Sequence, residues 1–260
     1  MSLSDHPAAH ASTPDPPSPR SPDRTDPSSR GTMDPWVRVA AWSAGVVVFI
    51  DVVFLALIQV IAHPLTVFAA ITLAGVALLR WRPRLGMWLL VIVSLVALTD
   101  VGSLLTHLAF PTSGIDFVHA FVGLFGRLLV VAAGIAAWRR LGEAAARRTG
   151  TVAVGLLGAA VLLATGTSLL SSGQEPAERD TVTVIAEGAF EDALVASGGT
   201  LYVDNQDLFR HTYTVVGTDI DVHLDARQGE RIDIDLDPGV YEVICVIPHH
   251  DFMDATLTVQ

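Results

Sequence analysis

Five apolar stretches packed into residues 36–170 constrain this 260-residue chain more than any other feature. They run from Trp36 to Ala62, Leu65 to Leu79, Leu85 to Phe110, Ile115 to Trp138 and Thr151 to Leu170. A membrane-crossing helix needs about 20 mostly apolar residues. Four stretches reach that length. The second stops at Arg80; it spans if Arg80 and Arg82 snorkel to the interface, and is otherwise re-entrant. Lipid offers no partner to a backbone N–H or C=O, so such stretches pair their own groups as helices. The expected architecture of this half is an all-α transmembrane bundle of five helices.

Arginine placement orients that bundle. The chain contains no Lys. Arg20, Arg24 and Arg30 precede the first stretch and Arg38 lies in its first turn; Arg80, Arg82 and Arg84 follow the second; Arg139, Arg140, Arg147 and Arg148 follow the fourth. The turns at His63-Pro64 and from Phe110 to Asp116 carry no Arg. Basic loops on alternate sides predict a cytoplasmic N-terminus, and five crossings then leave the C-terminal region outside the plasma membrane. Residues 1–35 are rich in Pro, Ser, Asp and Arg, as in Pro14-Asp15-Pro16-Pro17-Ser18-Pro19. They read as a disordered tail. They have no signal-peptide core, so the first apolar stretch is expected to target the chain.

Charge and period both change near residue 174. Residues 174–260 hold 18 Asp and Glu against four Arg, a net of −14 in a chain whose total is −11. Such a surface repels phosphates, which argues against nucleic acid, and suits basic protein partners or cations. Thr181–Ile185, Thr200–Val203, His211–Val216, Arg231–Leu236, Tyr241–Cys245 and Ala255–Val259 read as short strands. Several alternate apolar with polar residues, and Gly, Asn and Pro-Gly signals separate them. Many short strands in about 80 residues predict an all-β sandwich or barrel over residues 181–260. Residues 171–180 form the linker, with a reach of roughly 33 Å, which keeps the outer domain close to the membrane.

The single cysteine excludes an intrachain disulfide and leaves a buried, reactive or metal-bound thiol. In Cys245-Val-Ile-Pro-His249-His250-Asp-Phe-Met253 a thiolate, imidazoles and a thioether fall within nine residues. A type 1 copper site takes two His, one Cys and a weak axial Met. The second His must come from elsewhere, and His211, at the start of a strand, is the natural candidate. Taken singly, a strand Cys and a nearby Met are small hydrophobe and core filler; it is the combination that points to one copper ion. A binuclear copper centre needs two thiolates, and multicopper oxidases need His-x-His pairs that are absent. Zinc accepts a CysHis₂ set but Met poorly. His223 is read as an exposed spare.

The runs Val203-Asp-Asn205-Gln-Asp207…His211-Thr-Tyr-Thr-Val, Pro238-Gly-Val-Tyr241…Cys245 and His250-x-x-Met253-x-Ala-Thr-Leu-Thr-Val together resemble the cupredoxins, the blue-copper family of plastocyanin, amicyanin, azurin and halocyanin. The resemblance spans about residues 180–260. It implies a Greek-key cupredoxin-like sandwich with copper at one end, and an electron carrier rather than an enzyme. It also implies His211, Cys245 and His250 as strong ligands and Met253 as the axial one. Two positions depart from the family pattern. His249 stands where many relatives have Gly, which makes it the alternative to His250; His250 keeps the common Cys-to-His spacing. Thr212 stands where Asn often follows the first His, which alters the hydrogen bonding that tunes the thiolate.

Asp51, Asp100 and Arg127 fall inside the apolar stretches, where ionisable groups are costly. They lie at similar depth, so an Asp–Arg–Asp cluster is expected. His63, His107 and His119 fall near the outer surface. The favoured reading is a structural ion-pair network with interfacial histidines. The alternative is a membrane copper site or a single outer haem. The function expected for the whole chain is a membrane-anchored, extracytoplasmic type 1 copper protein exchanging single electrons with a redox partner that presents a basic patch. The alternatives are a copper-trafficking protein passing the metal from the outer domain to the bundle, and a copper-free interaction module.

Overall fold

Asp34 opens the first helix: its Oδ1 accepts the Trp36 backbone N–H at 2.8 Å, while Pro35 takes a position whose missing N–H costs nothing. The computed structural model describes residues 33–58, 63–250 and 252–260, apart from the side chains of Ile58 and His63. The expected disordered tail, up to residue 32, lies outside the described residues. The helices are α1 (Pro35–Ile58), α2 (His63–Leu78), α3 (Pro83–Ala97), α4 (Val101–Leu108), α5 (Gly114–Phe121), α6 (Arg127–Trp138) and α7 (Glu143–Leu170). A 3₁₀ turn, Leu98–Asp100, joins α3 to α4, and a π-helical turn, Val122–Gly126, joins α5 to α6. The third and fourth apolar stretches therefore become one continuous rod each.

Four rods are long and apolar enough to cross a membrane, and α2 is a shorter apolar helix. The fifth rod begins at Glu143 rather than Thr151. Glu143-Ala-Ala-Ala-Arg147-Arg148 is a strong helix former that adds two charged turns ahead of the apolar run. Close backbone approach sets the packing. A Cβ on Gly86 would stand 2.7 Å from the Leu79 nitrogen and 2.9 Å from the Gly75 oxygen, so only glycine lets α3 lie this near α2. Ser43 on α1 donates to the Gly126 carbonyl at 2.8 Å, which ties α1 to the π turn.

The C-terminal residues form nine strands: β1 (Thr181–Ala186), β2 (Ala189–Phe190), β3 (Ala193–Val195), β4 (Thr200–Asn205), β5 (His211–Val215), β6 (Asp221–Leu224), β7 (Gly229–Asp233), β8 (Gly239–Ile244) and β9 (Asp254–Val259). They make two sheets, ordered β2-β1-β4-β7 and β3-β9-β8-β5-β6. Pairs β1–β4 and β3–β9 are parallel and the remaining pairs antiparallel. The inward faces bury Ile185, Leu201, Val203, Tyr213, Val215, Leu224, Val243 and Leu257 in one cluster, which also takes in Cys245 and Met253. The short strands β2, β3 and β6 were not expected. Two or three residues, or the charged Asp221-Val-His-Leu, carry too little alternation to read from sequence.

The linker is stitched down rather than free. Gln174 donates its backbone N–H to Gly229 at 2.8 Å and accepts the Tyr202 hydroxyl at 3.0 Å. Asp180 takes a two-point hydrogen bond from Arg231 at 2.7 and 2.9 Å. The loop ends of the sandwich meet the helices directly. Ser113 donates to Asp225 at 3.1 Å, and Ser171 donates to Gln228 at 3.1 Å.

Candidate metal centre

Asn205 builds the loop that carries the first histidine. It is fully buried at the end of β4, and its Nδ2 donates to the carbonyls of Phe209, Leu224 and Asp225. Its Oδ1 accepts the Asp207 N–H at 3.0 Å. Asp207 is thereby fixed in a tight turn, where it also accepts the N–H groups of Glu187 and Gly188 at 2.8 and 3.0 Å. The same carboxylate lies 2.9 Å from His211 Nε2. A carboxylate only accepts, so His211 carries a proton on Nε2. Its Nδ1 is buried and has no hydrogen-bond partner.

Cys245 follows directly after β8. Its N–H donates to Met253 at 3.2 Å, Met253 donates to the His250 carbonyl at 2.9 Å, and His250 donates to Ile247 at 3.0 Å. These bonds close residues 245–253 into a compact loop. His250 Nδ1 lies 3.5 Å from the Cys245 sulfur. The ligand atoms of His211, Cys245 and His250 all fall within 4.8 Å of one another. Among the described residues this is the one such grouping of three His, Cys, Asp or Glu side chains. Met253 is buried on the same loop.

His249 is turned away. Its φ of 70° is left-handed, and its Nε2 meets Asp100 at 3.1 Å on an exposed edge. Thr212 does more than its sequence position suggested. Its backbone N–H and hydroxyl lie 3.5 and 3.7 Å from the sulfur, and the hydroxyl oxygen accepts the Val246 N–H at 2.8 Å. It steadies the thiolate and pins the strand that carries it.

The electrostatics favour a thiolate. Burial pushes the Cys245 thiol up, but His211, His250 and the N–H groups of Thr212 and Ile247 outweigh it and bring the pKa down to about 5. For His211, burial pushes down; the hydrogen bond to Asp207 and the neighbouring Cys245 push up harder, to about 8. The donor set fits a soft cation that takes sulfur and imidazole together, as copper does. The fit rests on a buried imidazole nitrogen left without a partner and aimed into a group that already holds a sulfur and a second ring. A buried polar atom of that kind is costly unless something satisfies it.

Arg210 was not singled out in the sequence, yet it joins this centre to the helices. It is 2 % exposed. Its N–H donates to Asp116 on α5 at 2.8 Å, its Nη2 to the Thr106 carbonyl at 3.4 Å, and its guanidinium sits 3.7 Å from the centre of the Phe110 ring. No sequence signal pointed to it, because every partner lies about a hundred residues away. His223 is exposed, with its ring 4.8 Å from Phe110.

The expected Asp51–Arg127–Asp100 cluster is not formed. Asp51 Oδ2 takes Arg127 Nη2 at 3.2 Å, and its Oδ1 takes His119 Nε2 at 3.2 Å. Asp100 stands apart with His249, because the 3₁₀ turn at Leu98–Asp100 tightens the rod there and rotates its side chain off the α1 side. Of the expected outer histidines, two have described side chains. His119 faces Asp51, and His107 keeps a buried Nδ1 without a partner. The His63 side chain lies outside the described residues.

No family model matches the chain, and no curated protein matches it. Solved structures similar to it include a reduced-state amicyanin mutant, with TM-score 0.30 and 19 % identity over 35 % of this chain and 90 % of that one. Amicyanin from Paracoccus versutus gives TM-score 0.29 and 20 % identity over 34 % and 86 %. A copper-containing nitrite reductase from Thermus scotoductus gives TM-score 0.28 and 22 % identity over 35 % and 24 %. In each, the likeness concerns about a third of this chain.

Proposed function

We propose that this chain is a membrane-anchored electron carrier whose C-terminal residues 181–260 form a Greek-key cupredoxin domain holding one type 1 copper ion. The observation that carries this reading is the buried, unpartnered Nδ1 of His211, set within 4.8 Å of Cys245 and His250 donor atoms. His211, Cys245 and His250 are the strong ligands and Met253 the axial one, with His249 on the outside. Copper, when bound there, supplies a one-electron couple between Cu(I) and Cu(II). The chain's own part is to hold the donors still. Asp207 fixes the His211 tautomer, Thr212 braces the sulfur, and the 245–253 loop ties the remaining donors to one backbone. A fixed donor set changes little between oxidation states, which favours transfer over chemistry on a substrate.

The N-terminus is cytoplasmic in this reading and the copper domain lies outside, held by five helices in the plasma membrane. The redox partner presents a basic patch to the acidic domain. Phe252, 67 % exposed with its ring 6.2 Å from His250, gives that partner an apolar contact beside a ligand. The test is to add Cu(II) to the purified full chain in detergent and record its visible spectrum. An intense charge-transfer band that ascorbate bleaches and oxidant restores is the expected result. Colourless protein after copper addition would refute the reading.

A further inference from the structure

Beneath the metal end, α1, α5, α7 and two loops of the sandwich line an open pocket of about 510 Å³. Its walls are apolar, with Phe54, Leu169 and Leu208 among them, and its polar groups include Thr165, Ser168 and His119. Behind His119 stand two buried charges: Asp51 is 2 % exposed and Arg127 8 %. A buried ion pair in an apolar bundle is a poor route to stability, so its presence points to work on a neighbour. That neighbour is His119. With Nε2–H directed at Asp51, its Nδ1 keeps a lone pair and can take a proton. Its ring stacks on Phe54 with centroids 4.1 Å apart, and Phe54 meets Phe209 edge-on at 5.1 Å. Phe209 lies two residues before His211.

We propose that this cavity binds the headgroup of a lipid-soluble hydroquinone, with His119 accepting its proton and the Phe54–Phe209 contact leading its electron to the copper centre. The proposal rests on the copper-carrier reading and names the donor for it. A ligand entering between helices of this length and apolarity comes from lipid. To use both the proton acceptor and the aromatic contact it must release a proton and an electron together, which a hydroquinone O–H does. The balance closes over two turns. Two O–H bonds break, two protons leave one at a time through His119, and the two electrons would be taken up, one per turn, by a Cu(II) ion held by His211, Cys245 and His250. The protein partner reoxidises the copper between turns, and quinone departs.

Two measurements on the full chain test this. In the first, copper-free protein in detergent is titrated with a decyl-substituted benzoquinone by calorimetry. Saturable binding is expected, and Leu169→Trp, at a wall residue 81 % exposed, should weaken it about tenfold or more. In the second, oxidised copper-loaded protein is mixed with the matching hydroquinone and the loss of the visible band is followed. His119→Gln keeps a donor for Asp51 but cannot take the proton, so bleaching by hydroquinone should slow about 100-fold, while bleaching by ascorbate stays as in the wild type. If His119→Gln fails to fold, Leu169→Trp carries both measurements. Absence of quinone binding to the copper-free chain would overturn the proposal, as would hydroquinone bleaching at the wild-type rate in both variants. A chain that binds quinone yet shows no band with copper would refute the carrier reading and leave the cavity's ligand established.

Discussion

His211 and His119 are held in the same way and face different surroundings. Each sets Nε2 against a carboxylate, Asp207 at 2.9 Å and Asp51 at 3.2 Å, and each thereby frees Nδ1. His211 turns that nitrogen toward a sulfur and a second imidazole. His119 sits at the wall of an apolar cavity, against a phenyl ring. The carboxylates differ too. Asp207 is held by neutral N–H groups, so its charge acts on His211; Asp51 is shared with the Arg127 guanidinium. Under the proposed function and the inference built on it, one local device serves a metal ligand in one place and a proton acceptor in the other. The groups in front of the ring decide which, while the carboxylate behind it fixes the tautomer and, at His211, also raises the pKa.

The largest effect expected from breaking this comparison is at Cys245. Cys245→Ser should remove the visible band altogether, whereas His119→Gln should leave the band at full intensity; absorption spectra of the two copper-treated variants decide it. A band that survives in Cys245→Ser would mean that the sulfur is not a ligand. The carboxylates come next. Asp51→Leu strands Arg127 in the bundle and should cost about 3–5 kcal/mol, seen as a large fall in thermal stability with the copper spectrum unmoved in the surviving fold. Asp207→Asn should instead spare stability and weaken copper binding about 10–100-fold, read by competition with a chelator. Equal effects of both changes on copper would erase the distinction between the two sites.

These contrasts also mark what the sequence could convey. Cys245, His250 and Met253 sit in one nine-residue run, so their proximity follows from the chain itself. His211 was reachable because its strand and the preceding Asp-Asn turn are local patterns. The backing of His211 by Asp207 hides behind a loop whose shape depends on buried Asn205 bonding three carbonyls. Arg210 was out of reach, since Asp116 and Thr106 are brought to it only by docking of the sandwich on the helices. Asp100 was misplaced because helical rise speaks only to position along the axis, while a single 3₁₀ turn changes direction around it. Long apolar runs announced the helices, but the edge strands β2, β3 and β6 were too short to show a period.

The pH response sharpens the comparison further. His211 is protonated in the copper-free protein below its pKa of about 8, while the Cys245 thiolate is already formed above about 5. Copper needs the neutral imidazole, so binding releases the His211 proton below pH 8 and none above it. Apparent affinity should therefore rise about tenfold per pH unit between roughly 6 and 8, then level off. Asp207→Asn removes one of the two groups that raise His211, Cys245 being the other, and should shift the plateau to lower pH. A flat affinity from pH 6 to 8 in the wild type would show that His211 is not the proton-coupled ligand.

The smallest effect belongs to His249, which faces away from both devices. Its left-handed backbone, φ 70°, favours glycine, and its contact with Asp100 joins groups 71 % and 55 % exposed. His249→Gly relieves backbone strain of order 1 kcal/mol and loses an exposed contact with Asp100 of similar or smaller worth. The two nearly cancel, so stability should move by less than about 1 kcal/mol and the copper band should not move at all. What should change is local: residues 246–250 lose their tie to the 3₁₀ turn, and their amides should exchange with solvent faster while the strands of the core do not. His250→Gly should do the reverse, abolishing the band with little change in exchange at Asp100. If His249→Gly instead abolished the band and His250→Gly preserved it, the ligand would be the outward ring, and the 245–253 loop would have to turn over to bring it in.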